Sequence, residues 1–143
     1  MPRLIQHIDA ISRSKKRDVL WVFFGSYEVE EGIKYLKPAD LYYEHNLQRV
    51  KVIEWLTENN ISYEPCGYHA DESCMRSYDG QLYVDIPFDR TDPIYLKLER
   101  YLEKPDGSMR LPGVIFMATS YEKALANRHH DEPGFWERWA ETF

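Results

Sequence analysis

The sequence predicts an α+β fold of ferredoxin-like kind, a β-α-β-β-α-β order folded into an antiparallel sheet with an extra helix at each end. Three observations lead there. Val19-Leu20-Trp21-Val22-Phe23-Phe24 is a short, wholly apolar run that reads as a strand buried on both faces. Val114-Ile115-Phe116-Met117-Ala118 is a second such run near the other end. Between them two helical stripes flank a turn signal, Asp79-Gly80. In this topology the strands at 19–24 and 81–87 lie side by side at the centre. The alternative is a thioredoxin-like or other open α/β sheet, since the strand-helix-strand segment from 19 to 64 also suits a parallel unit. No Cys-x-x-Cys supports the redox version.

The elements follow in order. Leu4, Ile5, Ile8 and Ile11 recur at helical spacing, which predicts a helix over 3–14. The basic cluster Arg13 to Arg17 reads as its solvated C-terminal end, where cations suit the helix dipole. The first strand then ends at Gly25-Ser26. Residues 26–45 show no clear period and read as a lid or an unrecognised helix. Leu47, Val50, Ile53 and Leu56 form a stripe that predicts a helix over 46–59, capped by Asn46.

Ile61 to Glu64 reads as a strand stopped by Pro65-Cys66-Gly67. Asp79-Gly80, between 74–78 and 81–87, predicts a hairpin with a type I′ turn. Asp92-Pro93 opens a helix that turns Ile94, Leu98, Tyr101 and Leu102 inward. Thr119 and Glu122 fit a capping box for a helix over 120–128, and Phe135, Trp136, Trp139 and Phe143 line one side of a last helix.

At 143 residues the chain reads as a single domain, 1–143, and its 43% hydrophobic and 15% aromatic content suffices for a core. Eleven Tyr and four Trp bring many side chains that suit cores, pockets and interfaces alike. The net charge of −6 disfavours nucleic acid and anionic membrane surfaces as partners. Residues 1–17 hold five basic side chains against Asp9, a balance of +4 that leaves −10 for the remainder. Without a signal peptide, a long apolar run or a disulfide framework, the expected setting is cytoplasmic.

One sheet face needs a cover, because Trp21, Phe23, Tyr83 and Phe116 make it too apolar to stay bare. The C-terminal aromatic helix is the first choice, a second copy the next, and a ligand under 26–45 the third. Those four residues are the expected ligand or interface set. Asp85, a carboxylate on a central strand, is the lead catalytic candidate: beside Tyr83 and Trp21 its pKa would rise, with Glu64 or His45 to assist. An ion pair with Arg76 is the structural alternative.

Cys66, His69 and Cys74 form a partial, irregularly spaced ligand set that argues only weakly for zinc. Cys66 with His45 or His69 would make a nucleophile–base pair, and Cys66–Cys74 a regulatory disulfide. His129-His130-Asp131-Glu132 reads as a solvated loop, since adjacent histidines usually diverge. No phosphate loop, serine-hydrolase or zinc-protease motif is present, and no cofactor is expected. The functional expectation is a binding, interaction or regulatory module that uses the aromatic face, with a protein partner or its own copy as a homodimer. The alternative is a small enzyme or ligand-binding protein with a pocket around Asp85, Tyr83 and Trp21.

Overall fold

The computed structural model describes residues 5–30, 33–38, 43–73 and 78–142, with the side chains of 26–30 and 33–38 left undescribed. Five strands and five α-helices are found among them: α1 (Ile8–Lys15), β1 (Val19–Glu30), β2 (Ile33–Pro38), α2 (Leu47–Glu58), β3 (Tyr63–Pro65), β4 (Leu82–Val84), α3 (Pro93–Leu102), β5 (Val114–Thr119), α4 (Tyr121–Leu125) and α5 (Phe135–Ala140). The class is α+β. The main sheet is open and antiparallel, in the order β3–β4–β1–β5. Among the described residues no adjacent strands run parallel, so the open α/β arrangement is not the one found.

β1 is central, as its apolar run predicts. Leu20, Trp21 and Val22 face Val84, Tyr83 and Leu82 on one side, and Val19 to Phe24 face Thr119 to Val114 on the other. Contrary to expectation, Gly25-Ser26 does not end it. The strand continues to Glu30, and β2 pairs with that extension from Gly25↔Pro38 to Glu30↔Ile33. Glycine here serves close backbone approach. Gly25 N–H donates to the Gly113 carbonyl at 2.8 Å, and Gly113, at φ +76, has no room for a side chain: a Cβ would lie 2.3 Å from the Gly25 oxygen. Most of the expected lid is therefore a β-arm, with 31–32 and 39–42 outside the described residues.

Alternation along β1 divides the core in two. Leu20, Val22 and Phe24, with Leu82, Val84 and Val114, meet Val52 and Leu56 of α2 and Tyr95, Leu98 and Leu102 of α3. Val19, Trp21 and Tyr83 point to the other face and meet Ile8 and Ile11 of α1 together with Cys66 and Tyr68. Burying each such aliphatic side chain stabilises the fold by about 1.5–3 kcal/mol.

Local chemistry sets the helix ends. Asn46 Oδ1 accepts from the N–H groups of Gln48 and Arg49 at 3.0 and 3.1 Å, and Asp92 caps α3 in the same way ahead of Pro93. Inward faces differ from the predicted stripes. Leu47 is 74% exposed while Val52 is buried, and Ile94 is exposed while Tyr95 is buried. Leu56, Leu98 and Leu102 of the predicted stripes are buried as expected. α4 is capped by Ser120, not Thr119, whose hydroxyl is used elsewhere.

Two further expectations change. β4 pairs with β3 and β1, and Asp79 does not take the positive φ that a type I′ turn requires; the proposed partner strand at 74–78 falls largely outside the described residues. α5 does not cover the sheet. The second face is closed at one end by α1 and the 66–70 segment, and α5 packs on the Arg128–Asp131 turn.

Candidate functional site

At its open end the second face becomes a groove of about 1090 Å³. Trp21, Phe23, Tyr68, Ile115 and Met117 make its apolar floor and wall, and His69, Asp71, Glu72, Asn127 and His130 its polar rim. The aromatic rings meet edge to face: Trp21–Tyr68 at 5.9 Å, Phe23–Tyr68 at 5.8 Å and Trp21–His69 at 5.7 Å. Trp21 Nε1 donates to the Thr119 hydroxyl at 3.1 Å, and the same hydroxyl meets His69 Nε2 at 2.9 Å. Burial holds the His69 pKa below its ordinary 6.5, the Asp9 carboxylate opposing and Lys123 reinforcing the shift, so the ring is neutral at neutral pH.

The groove's polar wall is fixed by a network that starts on α1. Asp9 and Arg13, one helical turn apart, have side chains only 1% and 6% exposed. Asp9 accepts from Arg13 at 3.2 Å, from Asn127 Nδ2 at 2.9 Å and from the Ala70 N–H at 3.1 Å. Arg13 also donates to the Ala124 carbonyl at 2.9 Å and forms a two-pronged pair with Asp131 at 2.7 and 2.8 Å. Burial pushes the Asp9 carboxyl up, yet the hydrogen bonds from Asn127, Ala70 and Arg13 outweigh it and hold the pKa below 3.8. One buried ion pair thus ties the 66–72 segment and the 124–131 segment to the same helix.

Those two segments carry the cluster that sequence reasoning missed. In the 3₁₀ turn Arg128–Asp131, His129 and His130 lie with ring centroids 4.2 Å apart. Both donate from Nε2 to one oxygen, Glu72 Oε1, at 2.7 and 3.0 Å. The hydrogen bonds from His129 and His130 lower the Glu72 pKa. Trp139 Nε1 donates to the Glu72 carbonyl at 3.0 Å, and Phe135 and Trp136 enclose the His130 ring. The expectation that adjacent histidines diverge fails here, since both Nε2 atoms reach the same Glu72 oxygen. Three-residue convergence across 57 positions leaves no periodic signal; the Asp9–Arg13 pair at i, i+4 was the one visible hint.

The predicted site residues separate. Tyr83, Asp85 and Glu64 line a different, smaller cavity of about 280 Å³ with Lys15. Asp85 accepts from Tyr83 Oη at 2.7 Å and from Arg17 at 2.8 Å, with Lys15 at 3.6 Å. Partial burial raises its pKa, but Tyr83, Lys15 and Arg17 outweigh that and hold it below 3.8, the reverse of the rise expected for a proton donor. Tyr83 is pushed up to about 12, first by burial and then by its bond to Asp85. Of the basic cluster, Arg13 pairs with Asp9 and Asp131 and Arg17 with Asp85, while Lys15 and Lys16 are exposed as expected of a solvated helix end. Arg76, the partner first considered for Asp85, lies outside the described residues.

Phe116 belongs to the helix-covered face, 6.3 Å from the Tyr95 ring, because its register places it beside Val22. His45 is exposed in a 3₁₀ turn ahead of α2. Cys66 is buried with a free thiol, and burial, then the Glu64 charge, push its pKa far up, which favours the protonated thiol. Cys74, and with it the disulfide and the third zinc ligand, lies outside the described residues. No described helix is long and apolar enough to cross a membrane. Comparisons of the chain with known protein families, curated proteins and solved structures find no match.

Proposed function

We propose that the chain is a small-ligand binding protein whose aromatic sheet face is the floor of the binding groove. The observation that carries this reading is the concave surface of Trp21, Phe23, Tyr68, Ile115 and Met117 with a convergent polar rim on one side. Ligand sites have this composition, an apolar body with a few placed polar groups, and volumes of roughly 300–1000 Å³. The face is the one expected to mediate binding. Its concavity favours a small molecule over a flat partner surface or a second copy.

Charge narrows the ligand. Asp71 and Glu72 stand on the rim, His69 is neutral, and the described lining contains no lysine or arginine. A flat, largely apolar molecule with a neutral or cationic head fits; an anion does not. Support for a ferredoxin-like reading of the fold comes from the central pairing of β1 with β4 and from α2 and α3 sharing one face. That fold alone carries no function.

The test is NMR mapping of neutral, cationic and anionic aromatic fragments in the presence of a chelator. Neutral and cationic fragments are expected to shift Trp21, Phe23, Tyr68 and Met117. Phe23→Ala should weaken them at least about tenfold, as loss of an aromatic anchor does. Binding confined to anionic fragments, or shifts centred on Asp85, would overturn the assignment.

A further inference from the structure

Glu72, His129 and His130 hold three ligand-type atoms within 4.8 Å of one another. We infer that they form a binding site for a divalent first-row transition-metal ion of the zinc class. Tetrahedral zinc with bonds of about 2.0–2.1 Å sets its ligand atoms about 3.3 Å apart. Glu72 Oε1 already lies 2.7 and 3.0 Å from the two Nε2 atoms, so a small opening of the cluster admits the ion. The donor set is one carboxylate with two imidazoles, which suits zinc or iron(II) and not calcium or magnesium. Ligation through Nε2 replaces the two hydrogen bonds to Glu72 and leaves each ring's proton on Nδ1, which in His130 is buried without a partner among the described residues.

Two independent observations mark the cluster as more than a surface ion pair. First, His130 is 4% exposed, packed on Phe135 and Trp136, and its Nδ1 is buried without a hydrogen-bond partner among the described residues. A phenylalanine would fill that aromatic nest without stranding a polar atom. Among the described residues the ring's hydrogen bond is made by Nε2, aimed at Glu72. Second, both ligand-bearing segments are fixed by the Asp9–Arg13 network, through Ala70 for Glu72 and through Asn127 and Asp131 for the histidines. Ligand segments held from behind by buried hydrogen bonds are the arrangement metal sites need. Glu72 and His130 also line the groove, so the metal site borders the ligand site proposed above. The metal site itself does not depend on that ligand.

The experiment is calorimetric titration of the metal-free protein with Zn2+ alone, and with Co2+, whose visible spectrum reports the ligand field. One equivalent of Zn2+ is expected, with a tetrahedral or five-coordinate Co2+ spectrum. Glu72→Gln and His129→Ala change exposed side chains and keep the fold, which thermal melts verify. Each should weaken Zn2+ by at least about tenfold, because even residues behind the ligands cost 10–100-fold. Absence of binding, or binding that both variants retain, overturns the inference. The fragment mapping runs in chelator and this titration without fragment, so either reading can fail alone.

Discussion

The two faces of the sheet are built by different physics. The helix-covered face is apolar throughout, closed by Val52, Leu56, Leu98 and Leu102 on strand residues that alternate as a sheet requires. The other face mixes Trp21, Tyr68 and Tyr83 with a buried ion pair, and it is left open as a groove at one end. The first resists unfolding by non-directional burial. The second is positioned by directional bonds, which give a defined wall for the groove and the histidine cluster. A face that must present chemistry has to place polar atoms, and burial alone does not place them.

Removing one member of each face should separate these roles most strongly. Arg13→Ala leaves Asp9 buried without its cation and should cost about 3–5 kcal/mol, the range for breaking a buried pair from one side. Leu98→Ala opens a cavity in the other core and should cost about 2–5 kcal/mol. Denaturant melts measure both. The two variants differ in what else is lost. Arg13→Ala should also abolish Zn2+ binding and increase amide exchange over 66–72 and 124–131, whereas Leu98→Ala should leave Zn2+ affinity unchanged in the folded protein. A cost below about 1 kcal/mol for Arg13→Ala would show that the network is peripheral, as exposed pairs are.

Acid should distinguish the faces next. Asp9 has a folded pKa below its ordinary 3.8. Its contribution is complete above 3.8 and disappears as pH falls through the lower folded value. Asp85, held down by Tyr83, Lys15 and Arg17, acts in the same direction on the same face. The urea midpoint of the wild type should therefore fall as pH drops below 3.8, with the Ala70 amide losing exchange protection before the amides of α3. Asp9→Asn should start lower and fall less. Parallel pH curves for the two proteins would remove Asp9 from the account.

The same contrast explains what the sequence made legible. β1 and β5 announce themselves as apolar runs, and Asn46 and Asp92 as caps, because each signal is local. The helix-covered core follows from those elements. The groove does not. Its wall depends on Asp9 meeting Asn127, on Arg13 meeting Asp131 and on Glu72 meeting His130, contacts between residues 58 to 118 positions apart. Both halves of the histidine cluster were visible as chemistry-bearing loops. Nothing in their spacing said that a 3₁₀ turn would aim two adjacent rings at one distant carboxylate. Asp85 misled for a related reason: its basic partners, Lys15 and Arg17, come from the α1 end, which read as solvated.

The smallest effect sharpens the comparison from the helix side. Asp92 Oδ1 accepts from the N–H groups of Ile94 and Tyr95 at 2.7 and 3.4 Å at the start of α3. Asp92→Ala strands those donors and should cost about 1 kcal/mol in a denaturant melt. The loss is confined to one turn of a helix that packs against the apolar core, through Tyr95, Leu98 and Leu102, and contributes nothing to the groove lining. Fragment affinity and Zn2+ affinity should therefore match the wild type within error. A cap variant that weakened either ligand would mean that the two faces communicate through β1 or β5, and that the groove draws its shape from the core beneath it as well as from the polar wall beside it.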